Sequence, residues 1–150
     1  MKHKIPIRVY YEDTDAGGVV YHANFLKFAE RGRTEFLRAV GFENTELKKN
    51  KGMIFVVRRI EVDYHKPAFL DDPLIMQSSI EAMKNTSFTM HQAVFREKTA
   101  ENGLSEEELI CDMHVVLVCV DTEKIQPVRL PEEIRQAFLN YKENHLFTGD

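Results

Sequence analysis

Between Tyr21 and Val40 the apolar residues recur at Tyr21, Phe25, Phe28, Ala29, Gly32, Phe36 and Val40, the three-and-four spacing of a helix that buries one face. Gly41 supplies its C-terminal stop. The most constraining residue is the glycine in the middle of the stripe. Gly32 costs about 1 kcal/mol of helix propensity relative to alanine, so its place on the buried side predicts a backbone pressed closely against a sheet.

The remainder of the chain supplies that sheet. Residues 5–12, IPIRVYYE, read as a first strand that ends in the turn-forming EDTDAGG. After the polar connection ENTELKKNKG come four strand-like stretches, Ile54–His65, Leu74–Met83, Phe88–Lys98 and Leu109–Asp121. In the first of them Ile60, Val62 and Tyr64 alternate with Arg59, Glu61 and Asp63, giving one buried and one polar face. The connections KPAFLDDP, KNTS and TAENGLSEE suit antiparallel neighbours. The nearly continuous apolar run ICDMHVVLVCV marks a central strand, and EEIRQAFLNYKEN after Pro131 reads as a closing helix. The order β-α-β-β-β-β-α, with an antiparallel sheet and one buried helix, predicts a single α+β domain over residues 1–150.

Composition narrows the function. The chain has 150 residues, 43% hydrophobic and 29% charged, enough to bury a core and too balanced for disorder. Twenty basic against 24 acidic side chains, a net charge of -4, argue against nucleic-acid binding by phosphate neutralisation. No apolar run approaches the roughly 20 residues that span a bilayer, and the opening MKHKIPIRVYYEDTD reaches charge too early for a signal peptide, so a cytoplasmic location is expected. Cys111 and Cys119 share one predicted strand. At about 26 Å apart along it they cannot form a disulfide, and buried free thiols are expected.

No G-x-S-x-G elbow, phosphate-binding glycine loop, dinucleotide fingerprint or H-E-x-x-H pair occurs. The histidines are scattered with no pair at metal-ligand spacing, and His91 and His114 read as surface or paired sheet residues, so no metal is expected at the site. Glu30, Arg31, Arg33 and Glu35 read as an ion-pair set on the helix, with Arg31 and Glu35 four apart.

One segment stands out from this background, YYEDTDAGGVVYHANF at positions 10–25. Asp13 and Asp15 end a strand, Gly17 and Gly18 permit a sharp turn, and a helix begins within a few residues. That order sets a carboxylate beside a helix N-terminus, whose free N–H groups can receive an oxyanion. A carboxylate with an oxyanion site is a minimal acyl-transfer device. The same residue types also simply cap helices, His22 also fits a hydrogen-bonded structural histidine, and Tyr11 also fits a half-buried strand aromatic.

The block, with ERGR after it and VDYHKPAFLDDPL further on, resembles the hotdog-fold acyl-CoA thioesterases of the 4-hydroxybenzoyl-CoA thioesterase superfamily, and within it the Tol-Pal-associated YbgC branch. The likeness runs from about Arg8 to Pro131. Phe25 stands where a Tyr is common, removing a hydroxyl near the site, and Gly32 where an Ala is common. The resemblance implies a long central helix wrapped by an antiparallel sheet, side-by-side homodimers that often pair into homotetramers, and active sites at the dimer interface. It implies Asp15 as the catalytic carboxylate, His22 as the helix-start residue and Tyr11 as a supporting hydroxyl, with Asp13 holding the loop.

A thioester carbonyl has weak resonance stabilisation, so positioning and charge stabilisation suffice without a metal or other cofactor. Asp15 either attacks directly or deprotonates a water; the sequence leaves both routes open. Gly18 and Val19 are expected beside the thioester. For the coenzyme A phosphates the candidates by charge are Arg58, Arg59, Lys84, Arg96 and Lys98, and by hydrogen bonding Thr86 and Ser87. The alternatives are a hydratase or dehydratase of acyl thioesters and a non-catalytic module binding acyl-CoA or acyl carrier protein.

Overall fold

The apolar stripe forms helix α1 (Asn24–Ala39), with Phe25, Phe28, Ala29, Gly32, Phe36 and Leu37 buried. The computed structural model describes residues 2–147. The helix is shorter at its start than the periodicity predicts, because Tyr21 donates its N–H to the Asp13 carbonyl at 2.9 Å and residues 21–23 form a turn ahead of the helix. Tyr21 is therefore exposed rather than part of the buried stripe. At the other end the chain leaves through Gly41 at a φ of 98°, a left-handed conformation that glycine adopts at little cost.

Five strands make one antiparallel sheet: β1 (His3–Arg8), β2 (Met53–Tyr64), β3 (Pro73–Met83), β4 (Ser87–Thr99) and β5 (Ser105–Asp121), in the order β1-β3-β4-β5-β2. β5 is interior, as its apolar run predicts. The first strand stops at Arg8 rather than Glu12. The Val9 carbonyl accepts the Asp71 N–H and the Asp13 carboxylate accepts the Tyr10 N–H, so residues 11–13 fold into a short 3-10 turn. Tyr11 in that turn is 81% exposed and is not a half-buried strand aromatic.

Two further readings are corrected. The polar connection after α1 contains helix α2 (Asn44–Lys51), anchored by the buried Leu47 and ended by Gly52 in left-handed conformation. Strong helix formers with one apolar anchor sufficed, although the stretch carries no amphipathic pattern. The segment KPAFLDDP does not join neighbouring strands either. β2 pairs with β5 at one edge, and residues 65–72 cross over the sheet end to reach β3. The crossing begins where the His65 and Lys66 N–H groups both bond to the Ile110 carbonyl.

The sheet packs on α1 at Gly32. A Cβ there would lie 2.6 Å from Met76 Cγ and 3.0 Å from both Gln92 Nε2 and Ser78 Oγ. Ser78 and Gln92 are register partners on β3 and β4 and fully buried. Gln92 Nε2 donates to Ser78 Oγ and to the Ala29 carbonyl, both at 2.9 Å, while Gln92 Oε1 accepts Arg33 Nη1 at 3.1 Å. Helix α3 (Glu132–Phe147) closes the far end of the core through Phe138, whose ring meets Phe36 and Phe88. Cys111 and Cys119 are buried free thiols. Burial pushes them up to about 12 and about 11, which removes both as thiolate nucleophiles near neutral pH. Among the described residues no helix is long and apolar enough to cross a membrane.

Gly32→Val improves helix propensity yet drives a branched side chain into Met76, Gln92 and Ser78. Overpacking of this kind costs about 1–3 kcal/mol. Urea denaturation should show a net loss of about 2 kcal/mol, and an unchanged midpoint would show that the helix can move away from the sheet.

Candidate active site

The loop ahead of α1 is built as a miniature hairpin. Thr14 and Val20 form an antiparallel bridge, the Asp15 N–H bonds to the Val19 carbonyl at 2.9 Å, and the Gly18 N–H returns to the Asp15 carbonyl at 3.0 Å. The turn needs Gly18, whose φ is 82°, and Gly17, where a Cβ would crowd Asp15 Oδ1 at 3.2 Å. Instead the Gly17 N–H donates to that oxygen at 2.8 Å. Asp15 is exposed, and among the described residues its Oδ2 has no protein partner.

Asp13 does the holding. It is buried, takes the Tyr10 N–H on Oδ2 at 2.8 Å, and through its carbonyl accepts both the Tyr21 N–H and Asn24 Nδ2, the latter at 2.8 Å. The ladder thus sets Asp15 opposite Val19 and Asp13 opposite Tyr21. His22 follows one residue beyond its end. It lies just before Ala23, the N-cap of α1, rather than inside the helix. Among the described residues the His22 N–H has no backbone acceptor, so it remains an available donor at the positive end of α1.

Two residues of this site were not singled out from the sequence. Tyr64, the last residue of β2, donates its hydroxyl to the His22 carbonyl at 2.9 Å and sets its ring edge-on to the imidazole, with centroids 6.1 Å apart. Desolvation raises the Tyr64 phenol above its ordinary value, which keeps the donor protonated. Asn24 was visible only as an unremarked letter of the HANF run, and Tyr64 only as one member of an alternating strand.

Behind the loop runs the crossing segment. The Val20 N–H bonds to the Ala68 carbonyl at 2.8 Å, and Val19 bridges to Phe69. Arg96 ties this segment to the sheet by donating to the Pro67 carbonyl at 3.1 Å, to Asp72 at 2.6 Å and to Glu108 at 2.8 Å. Lys98 and Lys66 also pair with Glu108. Arg96 and Lys98 are therefore engaged within the fold rather than free for a phosphate.

The other predicted contacts are dispersed in one chain. Gly18 and Val19 are in the loop with Asp15. Tyr11 is in the neighbouring 3-10 turn, exposed, with its carbonyl holding Thr14 Oγ1 at 2.8 Å. Arg59 pairs with Glu61 on β2. Lys84, Thr86 and Ser87 form the β3–β4 hairpin, roughly 30 Å from the crossing segment along β3. There the Lys84 carbonyl accepts Arg135, the Thr86 carbonyl accepts the Cys119 N–H, and Ser87 is buried. On α1, Glu35 pairs with Arg38 rather than Arg31, whose guanidinium lies over the Phe28 ring. A cavity of about 470 Å³ lies between α1 and β2, with Phe36, Leu37, Ile54, Phe55 and Phe88 in its wall. Asp15, His22 and Tyr11 do not line it.

The chain as a whole is similar to known proteins. Residues 9–138 match the model of the thioesterase-like superfamily, and the chain belongs to that family. It is 46% identical over 133 residues to the acyl-CoA thioester hydrolase YbgC of Escherichia coli O6:H1, covering 89% of this chain and 92% of that one. A probable thioesterase from Bartonella henselae has 37% identity and superposes with a TM-score of 0.77, over 87% of this chain and all of that one. The 4-hydroxybenzoyl-CoA thioesterase of Pseudomonas sp. strain CBS-3 has 17% identity and a TM-score of 0.79, over 91% of this chain and 98% of that one. It shares the fold, and the α+β hotdog architecture expected from the sequence is the one present.

The Arg96 network also gives a pH dependence. Hydrogen bonds from Lys98 and Arg96 hold the Glu108 carboxyl at about 2, below its reference value of 4.5. A folded value below the unfolded one contributes stability that is full above about 4.5 and is lost as pH falls toward 2. Glu108→Gln should therefore flatten the acid limb of stability between pH 4.5 and 2, followed by urea denaturation. An acid limb as steep as in the parent would place the pH dependence elsewhere.

Proposed function

We propose that the chain hydrolyses acyl-CoA thioesters to the free acid and coenzyme A, with Asp15 as the catalytic carboxylate and the His22 amide as the oxyanion donor. The observation that carries this reading is the arrangement of Asp15. One carboxylate oxygen is fixed by the Gly17 N–H and the other is left open, in a loop closed by its own hydrogen bonds. The names of the relatives supply the substrate class, an acyl-CoA.

Two routes fit. As a base, Asp15 takes a proton from water while the water oxygen bonds to the thioester carbon. The tetrahedral intermediate then collapses by breaking the carbon–sulfur bond, coenzyme A leaving as a thiolate that is protonated by the Asp15 carboxyl or by solvent. As a nucleophile, Asp15 bonds through its oxygen to the thioester carbon, and the coenzyme A thiolate leaves to give a mixed anhydride that water then hydrolyses. In both, negative charge collects on the carbonyl oxygen, where an N–H at a helix start stabilises it. Tyr64 holds the His22 carbonyl, on the peptide that follows this donor. The Tyr11 hydroxyl, within the same exposed surface, adds a hydrogen bond once that surface is covered.

Covering it is the second part of the reading. Tyr11 and Asp15 are exposed in a single chain, and β2 is a 12-residue edge strand with Val56 and Val57 exposed. Such an edge invites pairing, and a second copy there makes a homodimer with the site at the junction. Pairing of dimers gives a tetramer. Contacts from Arg59, Lys84, Thr86 or Ser87 to coenzyme A would then come from the neighbouring copy. Acyl carrier protein is a second possible donor of the acyl group, and the reaction needs no cofactor. A cytoplasmic location accords with an acyl-CoA substrate.

Asp15→Asn keeps the shape and removes nucleophile and base together, and a thiol-release assay should show turnover lower by about a hundredfold or more. His22→Ala retains the backbone donor and should cost less. Near-normal turnover of folded Asp15→Asn would remove Asp15 from the mechanism, and equal losses would move the histidine ring into it. Light scattering at micromolar concentration should give at least a dimer; a fully active monomer would contradict an interfacial site.

A further inference from the structure

The outer face of the sheet, opposite α1, carries a second group of chemically capable side chains. His91 on β4 and His114 on β5 are register partners, with ring centroids 5.0 Å apart. Asp112 lies two residues before His114 and so on the same face. Its Oδ2 is 3.4 Å from His91 Nε2, and its Oδ1 is 2.7 Å from His65 Nε2. His114 Nδ1 lies 3.0 Å from the Glu81 carboxylate. Potential ligand atoms of His91, Asp112 and His114 all fall within 4.8 Å of one another. In the sheet register Glu61, paired with Arg59, and Asp63 of β2 stand opposite His114 and Asp112.

We propose that His91, His114 and Asp112 form a binding site for a divalent first-row transition ion of the zinc class, separate from the thioester site. Two imidazoles and a carboxylate suit such an ion, whereas magnesium and calcium prefer all-oxygen sites. Ligands about 2.1 Å from a tetrahedral ion lie about 3.4 Å from one another, which is the His91–Asp112 spacing already present. His114 completes the set by a side-chain adjustment.

The supporting contacts have the form found around metal-bound histidines. In the tautomer with its proton on Nδ1, His114 donates that N–H to Glu81 and keeps the Nε2 lone pair free for an ion, while His65 orients Asp112. Water fills the positions left open on a half-exposed face. Bound there, the ion joins β4 to β5.

The test uses tag-free, full-length protein stripped with chelator, with ZnCl2 and CoCl2 as probes. Isothermal titration should give saturable zinc binding at one ion per chain, and cobalt should develop the visible absorption of a nitrogen-and-oxygen site. Affinity should fall about a hundredfold or more in His91→Ala/His114→Ala and about tenfold in Asp112→Asn. Long-range proton–nitrogen spectra of the parent should show zinc moving the imidazole signals of His91 and His114 while those of His3 and His22 stay in place, a readout independent of any variant's folding. Absence of saturable binding, equal affinity in the double variant, or perturbation of His22 in place of His91 and His114 would overturn the site. Thioester hydrolysis in chelator should be unchanged, and hydrolysis that required zinc would overturn the separation of the two sites.

Discussion

The position of α1 over the sheet rests on a buried amide. Gln92 is fully buried, and its side chain reaches the Ala29 carbonyl of the helix, the Ser78 hydroxyl of the neighbouring strand and the Arg33 guanidinium. Any of these groups left without a partner in the interior would cost about 1–3 kcal/mol. The bonds also have direction, which apolar contact lacks. They can form only if the helix backbone comes close to β3 and β4, and Gly32 permits that approach. Arg33 is the partner most altered by the arrangement, since burial lowers its proton affinity below the ordinary value. Helix height and rotation on the sheet are thereby set, and with them the direction in which the first turn of α1 points.

From that fixed helix the active-site loop follows by a chain of backbone contacts. Asn24 on the first turn holds the Asp13 carbonyl. Asp13 holds Tyr10, and the hairpin that carries Asp15 hangs between Asp13 and the Ala68 carbonyl. The crossing segment that provides Ala68 is itself fixed by Arg96 against Asp72, Glu108 and Pro67. The carboxylate proposed as catalytic is thus exposed on a loop whose Asp15, Gly17 and Gly18 amides are already bonded. Such preorganisation avoids reordering the loop as charge develops.

How much of this was legible in the sequence depends on the range of the interaction. α1, its buried glycine, the five strands and the hairpin residues Gly17 and Gly18 all arise from contacts within a few residues, and periodicity or turn chemistry reveals them. The motif carrying Asp15 and His22 was visible for the same reason, as one continuous block. Tyr64, Gln92 and Arg96 act across long stretches of chain, and nothing beside them in sequence marks their partners. The crossover of residues 65–72 was hidden similarly, since turn-forming letters state that the chain bends but not which strand it joins. Helix α2 escaped because Leu47 alone anchors it, and a single apolar residue has no period.

The end of β2 shows why two sets of polar groups coexist without interfering. Consecutive residues of a strand point to opposite faces, so Tyr64 turns toward the α1 side and fixes His22, while Asp63 stands opposite Asp112 on the outer side and His65 reaches the same carboxylate. The sheet between them is filled by Cys111, Met113 and Val115, all fully buried. An ion held by His91, Asp112 and His114 would therefore have this apolar layer between it and an oxyanion at His22. Its influence on the thioester site would have to travel through the backbone joining Tyr64 to His65, because that peptide connects a residue of one group directly to a residue of the other.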